Sequence, residues 1–105
     1  MINMSYYLKI YQNQNEKLIA ITDSNLIGAK FKHNGVNMSI SSRFYGDLEY
    51  STDEVEIEIK SATSINAIGI DICNLLIELG YCHPDTILWM DFEDKKIGHV
   101  IVVKQ

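Results

Sequence analysis

Residues 62–79, ATSINAIGIDICNLLIEL, form the longest apolar-periodic run in the chain. Ile65, Ile68, Ile72, Leu75, Leu76 and Leu79 recur at three- and four-residue spacing, which places them along one side of a helix. Ile70, Cys73 and Ile77 widen that surface, and only Ala67, Asp71, Asn74 and Glu78 form a narrow polar edge. A helix apolar over more than half its circumference is buried by other elements on more than one side. The run is too short and too often broken by polar residues to span a bilayer. Gly80 stands where a left-handed C-cap wants glycine, Tyr81 supplies its apolar contact, and Pro84 stops any continuation.

Two residues interrupt this pattern. Asn66 falls beside Ile70, Cys73 and Ile77 rather than on the polar edge. A buried amide without partners costs about 1–3 kcal/mol, so Asn66 must find them. Gly69 costs about 1 kcal/mol against alanine inside a helix, and lets a backbone or a ligand approach. One reading is a structural amide with a packing glycine. The other is a binding or reactive site on this helix.

The chain has 105 residues, which suits one domain able to bury a single core. Its net charge of −5 argues against direct nucleic-acid binding, which normally shows a basic stripe. It leaves open docking on a protein, or RNA binding through a small local patch. Cys73 and Cys82 make no disulfide framework. The first ten residues show no secretory signal, and no segment is a membrane span, so a reduced, cytoplasmic protein is expected.

In chain order, residues 4–11 alternate as a strand with Tyr7, Lys9 and Tyr11 on one face. Residues 17–22 form its hairpin partner. Asp23 or Ser24 caps a helical turn that ends at Gly28. Residues 29–32 and 36–41 flank His33-Asn34-Gly35, a strong hairpin signal, with Val36, Met38 and Ile40 turned inward. Arg43, Phe44, Tyr45, Gly46 and Asp47 read either as an exposed recognition loop or as a hydrophobic plug with a turn glycine. Residues 51–60 carry two conflicting signals. Val55, Ile57 and Ile59 alternate with glutamates as in a strand, while Ser51 and Glu54 form a capping box. We assign a helix. Residues 86–92 and 97–103 are strands around a charged turn, the second apolar on both faces and therefore central.

No phosphate-cradling glycine loop, nucleophile elbow or zinc-protease pair is present, which disfavours an enzyme. Cys73, Cys82, His83 and His99 match no usual metal spacing, and we expect neither metal nor cofactor. His99, near the start of a central strand, is either structural or a donor, acceptor or proton switch in a site.

Taken together, YLKIY at residues 7–11, AITDSNLIG at 20–28, FYG at 44–46, Ala62-Thr63-x-x-Asn66-x-x-Gly69, and Gly98-His99 resemble the archaeal family grouped as domain of unknown function 424 (DUF424). The resemblance covers nearly the whole chain in order. Asp47 stands where the family has a second glycine, and Gly98 where it commonly has proline. It implies an archaeal cytoplasmic protein, a compact α+β domain, a helix at 52–60, and a place in translation.

The expected architecture is a single α+β domain at 1–105: short antiparallel or mixed strands on a helical segment at about 52–79. The favoured function is a non-catalytic binding module for a protein or ribonucleoprotein, with no membrane role. Its candidate residues are Asp23, Gly28, Arg43, Phe44, Tyr45, Gly46, Asn66, Gly69 and His99, none of them catalytic. The alternatives are a small enzyme or ligand-binding protein whose pocket joins Asp23, Asn66 and His99, and a homodimer built on an exposed strand edge.

Overall fold

The computed structural model describes residues 4–104. Strands β1 (Ser5–Gln12) and β2 (Lys17–Asp23) form the expected opening hairpin. A single 3-10 turn, Ser24–Leu26, leads to β3 (Lys30–His33) and β4 (Val36–Ser39). A short helix α1 (Ser42–Tyr45), strand β5 (Glu49–Ser51) and helix α2 (Thr52–Ser61) follow. The second half is β6 (Ser64–Ile68), α3 (Ile70–Glu78), β7 (Leu88–Phe92) and β8 (Lys95–Val103). The main sheet has the order β5-β1-β2-β6-β8-β7, and β3-β4 is a separate two-stranded sheet. Among the described residues only β2 and β6 pair in parallel, so 40 residues of hairpin and helix cross between them, from 24 to 63. The expected single α+β domain is the observed architecture.

The largest departure lies in the apolar run at 62–79. Its first third is strand β6, and the helix starts only at Ile70. Ser64, Ile65, Asn66 and Ala67 alternate polar and apolar, a two-residue period that the longer helical spacing overlaps. Tertiary pairing decides between them: β6 fills the slot between β2 and β8 and satisfies its backbone on both sides. Gly69 therefore marks the strand–helix junction, with φ of 133°, rather than sitting inside a helix.

The opposite conflict, at 51–60, resolves to helix. Ser51 Oγ accepts the Glu54 amide at 3.3 Å, and Glu54 Oε1 accepts the Ser51 amide at 2.8 Å. That reciprocal cap, with Glu54 held below the usual carboxylate range by the Ser51 backbone bond, starts the helix. Val55 and Ile59, one turn apart, are fully buried, each contributing roughly 1.5–3 kcal/mol of transfer free energy. Gly80 (φ 81°) ends α3, and the Tyr81 amide reaches back to the Leu76 carbonyl at 2.9 Å, as expected for a glycine C-cap.

Smaller departures have local causes. Val36 is 59% exposed and does not share the inward face with Met38 and Ile40. β4 stops at Ser39 because the chain turns there towards Ser41, which caps α1 by accepting the Phe44 amide. The last hairpin turns tightly at Glu93-Asp94, both at positive φ, so β8 begins at Lys95.

The sheet has two unlike faces. Helices α2 and α3 cover one, with Ile19, Ile21, Ile65, Val100 and Val102 packed beneath them. On the other, Ala20, Ile68, Met90 and Ile97 lie under Leu26, Ile40 and Tyr45 from the 24–46 insertion. That insertion covers only part of the face. Further along the same strands Ile101 and Val103 remain 61% and 66% exposed.

Candidate functional site

Alternation along each strand sorts the candidate polar residues by face. Asp23 continues the register of Ile19 and Ile21 and projects towards the helices. Its two carboxylate oxygens accept the Asp71 and Ile72 amides, each at 2.9 Å, so a residue from β2 caps α3. The Ser24–Leu26 turn that Asp23 precedes receives no side-chain bond from it. Burial pushes the Asp23 carboxyl up to about 6, against the opposing pull of those amides. A Cβ at Gly69 would lie 2.4–2.6 Å from the Asp23 carboxyl group. Asp23 and Gly69 thus form one tight joint, and the glycine makes room for a side chain of this chain rather than for a ligand.

Asn66 and His99 meet on the other face. His99 Nε2 stands 3.0 Å from Asn66 Oδ1, and Tyr45 OH donates to the same oxygen at 3.5 Å. Two donors on one amide oxygen assign the proton of His99 to Nε2. Burial lowers the His99 pKa, which favours the neutral ring, and pushes the Tyr45 hydroxyl up to about 12, which keeps it a donor. Among the described residues, Asn66 Nδ2 and His99 Nδ1 make no further hydrogen bond, and neither is a buried, unsatisfied atom. The pair therefore presents a donor and an acceptor to solvent.

The pair continues into a strip of aromatic and basic groups. The Tyr45 and Phe44 rings meet edge-on at 4.8 Å, and Phe44 lies 5.7 Å from Tyr11. Tyr11 OH donates to the Phe44 carbonyl at 2.7 Å. Lys9 Nζ stands 5.4 Å from the Tyr11 ring centre and donates to the Arg43 carbonyl at 2.9 Å. Arg43, Phe44 and Tyr45 are neither a loop nor a simple plug. As helix α1, they bury Tyr45 (7% exposed) and leave Phe44 at 38%. Gly46 permits this docking, since a Cβ there would come within 2.8 Å of the Leu8 carbonyl oxygen.

Arg43, Phe44, Tyr45, Asn66 and His99 are thus brought together. Gly28, at φ 87°, shapes the insertion by donating to the Ile40 carbonyl at 2.6 Å. Asp23 does not join Asn66 and His99, because its side chain leaves the opposite face of the sheet; a pocket uniting the three does not form. Sequence reasoning passed over Lys9 and Tyr11. Their signal was present in the strand alternation that places both on one face. What it lacked was the docking of α1 beside them. Burial raises Cys73 to about 12, so this helix-side thiol is not an activated nucleophile.

Charge is segregated along the chain. Residues 24–46 hold three cations and no carboxylate, whereas residues 47–94 hold twelve carboxylates and one cation. The acidic stretch includes helices α2 and α3, and the acid-free stretch is the insertion, with α1, over the opposite face. The net charge of −5 therefore averages over stretches of opposite sign.

No helix of the described residues is long and apolar enough to cross a membrane. The chain is similar in fold to an uncharacterized conserved protein from Methanopyrus kandleri, known from its crystal structure. The TM-score is 0.73 at 21% identity, over 96% of this chain and 94% of the other. No curated protein sequence matches. The family model described as protein of unknown function (DUF424) matches residues 11–100, which takes in Tyr11, α1, Asn66 and His99. The chain belongs to the DUF424 family.

Proposed function

We propose that this protein is a non-catalytic binding module that engages a protein or ribonucleoprotein through the strip from Arg43 and Phe44 to Asn66 and His99. The observation that carries the reading is the half-open sheet face. One half is sealed by the insertion, while the other leaves Ile101, Val103 and the spare groups of Asn66 and His99 facing solvent. Exposed apolar surface rimmed by polar groups marks interaction sites on small domains. A place in translation goes with a ribonucleoprotein partner and rests on the family resemblance.

The test is affinity capture with the wild type and with an Arg43→Glu, Phe44→Ala variant side by side. A partner retained by the wild type and lost by the variant, at unchanged melting temperature, supports the reading. Equal retention moves the contact elsewhere. Tyr45 stays intact in this design because it is part of the core. A second reading is homodimerisation along β4, where Val36 is exposed and the two-stranded sheet ends. Light scattering over a dilution series decides it, and a constant monomer mass removes it.

A further inference from the structure

Beside Asn66 and His99 lies a groove of about 410 Å³ lined by Lys9, Tyr11, Ser41, Arg43 and Phe44. Its lining contains two cations, two aromatic rings, a hydroxyl and no carboxylate. Neither Lys9 nor Arg43 forms an ion pair among the described residues. A second groove of about 410 Å³ on the β3–β4 hairpin repeats the combination with Lys30, Phe31 and Lys32, again without an acid. In a chain of net charge −5, two basic grooves whose linings hold no carboxylate are a local property that the total conceals, with Asp47 the acid of the adjoining groove that shares Lys9 and Arg43.

We propose that the Lys9–Tyr11–Arg43–Phe44 groove seats single-stranded RNA, with a base stacked on the Tyr11 and Phe44 rings and the adjoining phosphates against Lys9 and Arg43. This deepens the binding-module reading and rests on it. Charge complementarity alone also suits an acidic peptide. A peptide carboxylate, however, would satisfy the cations and leave two adjoining ring surfaces without a partner of matching shape. Unpaired bases offer a π-face to every exposed ring, and stacking contributes about 1–3 kcal/mol per base. The neighbouring Asn66 amide donors and His99 Nδ1 acceptor suit the hydrogen-bonding edge of a base splayed onto an open sheet. Duplex RNA buries both its base faces and its readable edges, so it lacks what this surface offers.

The test is fluorescence anisotropy with the purified full chain and a labelled mixed-sequence RNA of about twelve nucleotides, a length that spans a typical single-strand site. The same RNA annealed to its complement and an unlabelled polyglutamate competitor complete the set. Expected is binding to the single strand with a log–log salt slope of about −1.4, for two phosphates. The duplex should bind about ten-fold more weakly, the scale set by one lost stacking contact. Phe44→Ala should weaken binding about ten-fold while Phe44→Trp restores it. Arg43→Gln should reduce the slope by about 0.7. Both positions are exposed, and melting temperatures check that the variants fold. Three outcomes overturn the proposal: no binding at about 100 µM protein in low salt, equal affinity for duplex, or displacement by polyglutamate as effective as by RNA. Partner capture that survives ribonuclease, together with any of these, leaves the binding module standing and removes RNA as its ligand.

Discussion

Asp23 with Gly69, and Asn66 with His99, occupy opposite faces of one sheet and look alike in the sequence: polar or small residues set into apolar surroundings. Their environments differ in how far their bonding capacity is used. Both Asp23 oxygens are taken by α3 amides in a nearly closed environment, and Gly69 is shaped around them. Asn66 and His99 bond each other and keep a donor and an acceptor facing out. A polar group whose partners all belong to the fold holds the fold; one with capacity left over can hold something else.

The strongest way to break this comparison is Gly69→Ala. The new Cβ would meet the Asp23 carboxyl, and φ of 133° is a region L-residues rarely adopt. We expect a loss of about 3–5 kcal/mol, read by urea denaturation. A Gly69→Ala protein as stable as the wild type would show that the joint is not tight. Asp23→Ala should cost about 1–2 kcal/mol, because two amides at the start of α3 lose their acceptors. Asn66→Ala, by contrast, should stay within about 1 kcal/mol, since Asn66 and His99 are only part-buried and the Tyr45 bond that is lost is long, 3.5 Å. If Asn66→Ala proves the more damaging of the two, the contrast between the faces is inverted.

A pH series sharpens the same contrast. The folded Asp23 pKa, at about 6, is raised above its ordinary carboxylate value, so the folded state holds this proton more tightly than the unfolded chain does. Its contribution is present below the unfolded value and is lost as pH rises from about 4 through about 6. The wild type should therefore gain stability relative to Asp23→Asn on acidification through that window. His99, lowered by burial, acts in the opposite sense: its contribution is present above the ordinary imidazole value and is lost as pH falls through its lowered one. Subtracting the Asp23→Asn curve cancels the His99 term. A flat difference would show that the amide bonds fully offset burial at this carboxyl, and a reversed slope that they outweigh it. The smallest effect concerns the helical face itself. Cys73 is fully buried and Cys82 only partly, so in the native protein a thiol reagent should label Cys82 and spare Cys73. Rapid labelling of both would show that this face opens.

Signals confined to a few neighbouring residues were legible. Asn34-Gly35 turns a hairpin with both residues at positive φ. Ser51 and Glu54 start a helix against a competing alternation, and Gly80 ends one. The same locality explains the failures. Residues 64–68 satisfy helical and strand periods at once, and only pairing to β2 and β8 chooses. Nothing near residue 43 announces that Phe44 will rest against Tyr11, thirty-three residues earlier.

From sequence alone came the α+β class, the turns and caps, and the membership of Asn66, His99, Arg43, Phe44 and Tyr45 in a short list of candidates. These follow from backbone preferences and hydrophobic period, which act over a turn or two of chain. Which candidates serve the fold and which face outward was decided only in three dimensions. Asp23 and Asp71 are forty-eight residues apart, and Asn66 and His99 thirty-three. Whether such pairs meet depends on which strands are neighbours and which face each side chain leaves. A one-residue change of strand register would send Asn66 to the helices and Ala67 to the open face.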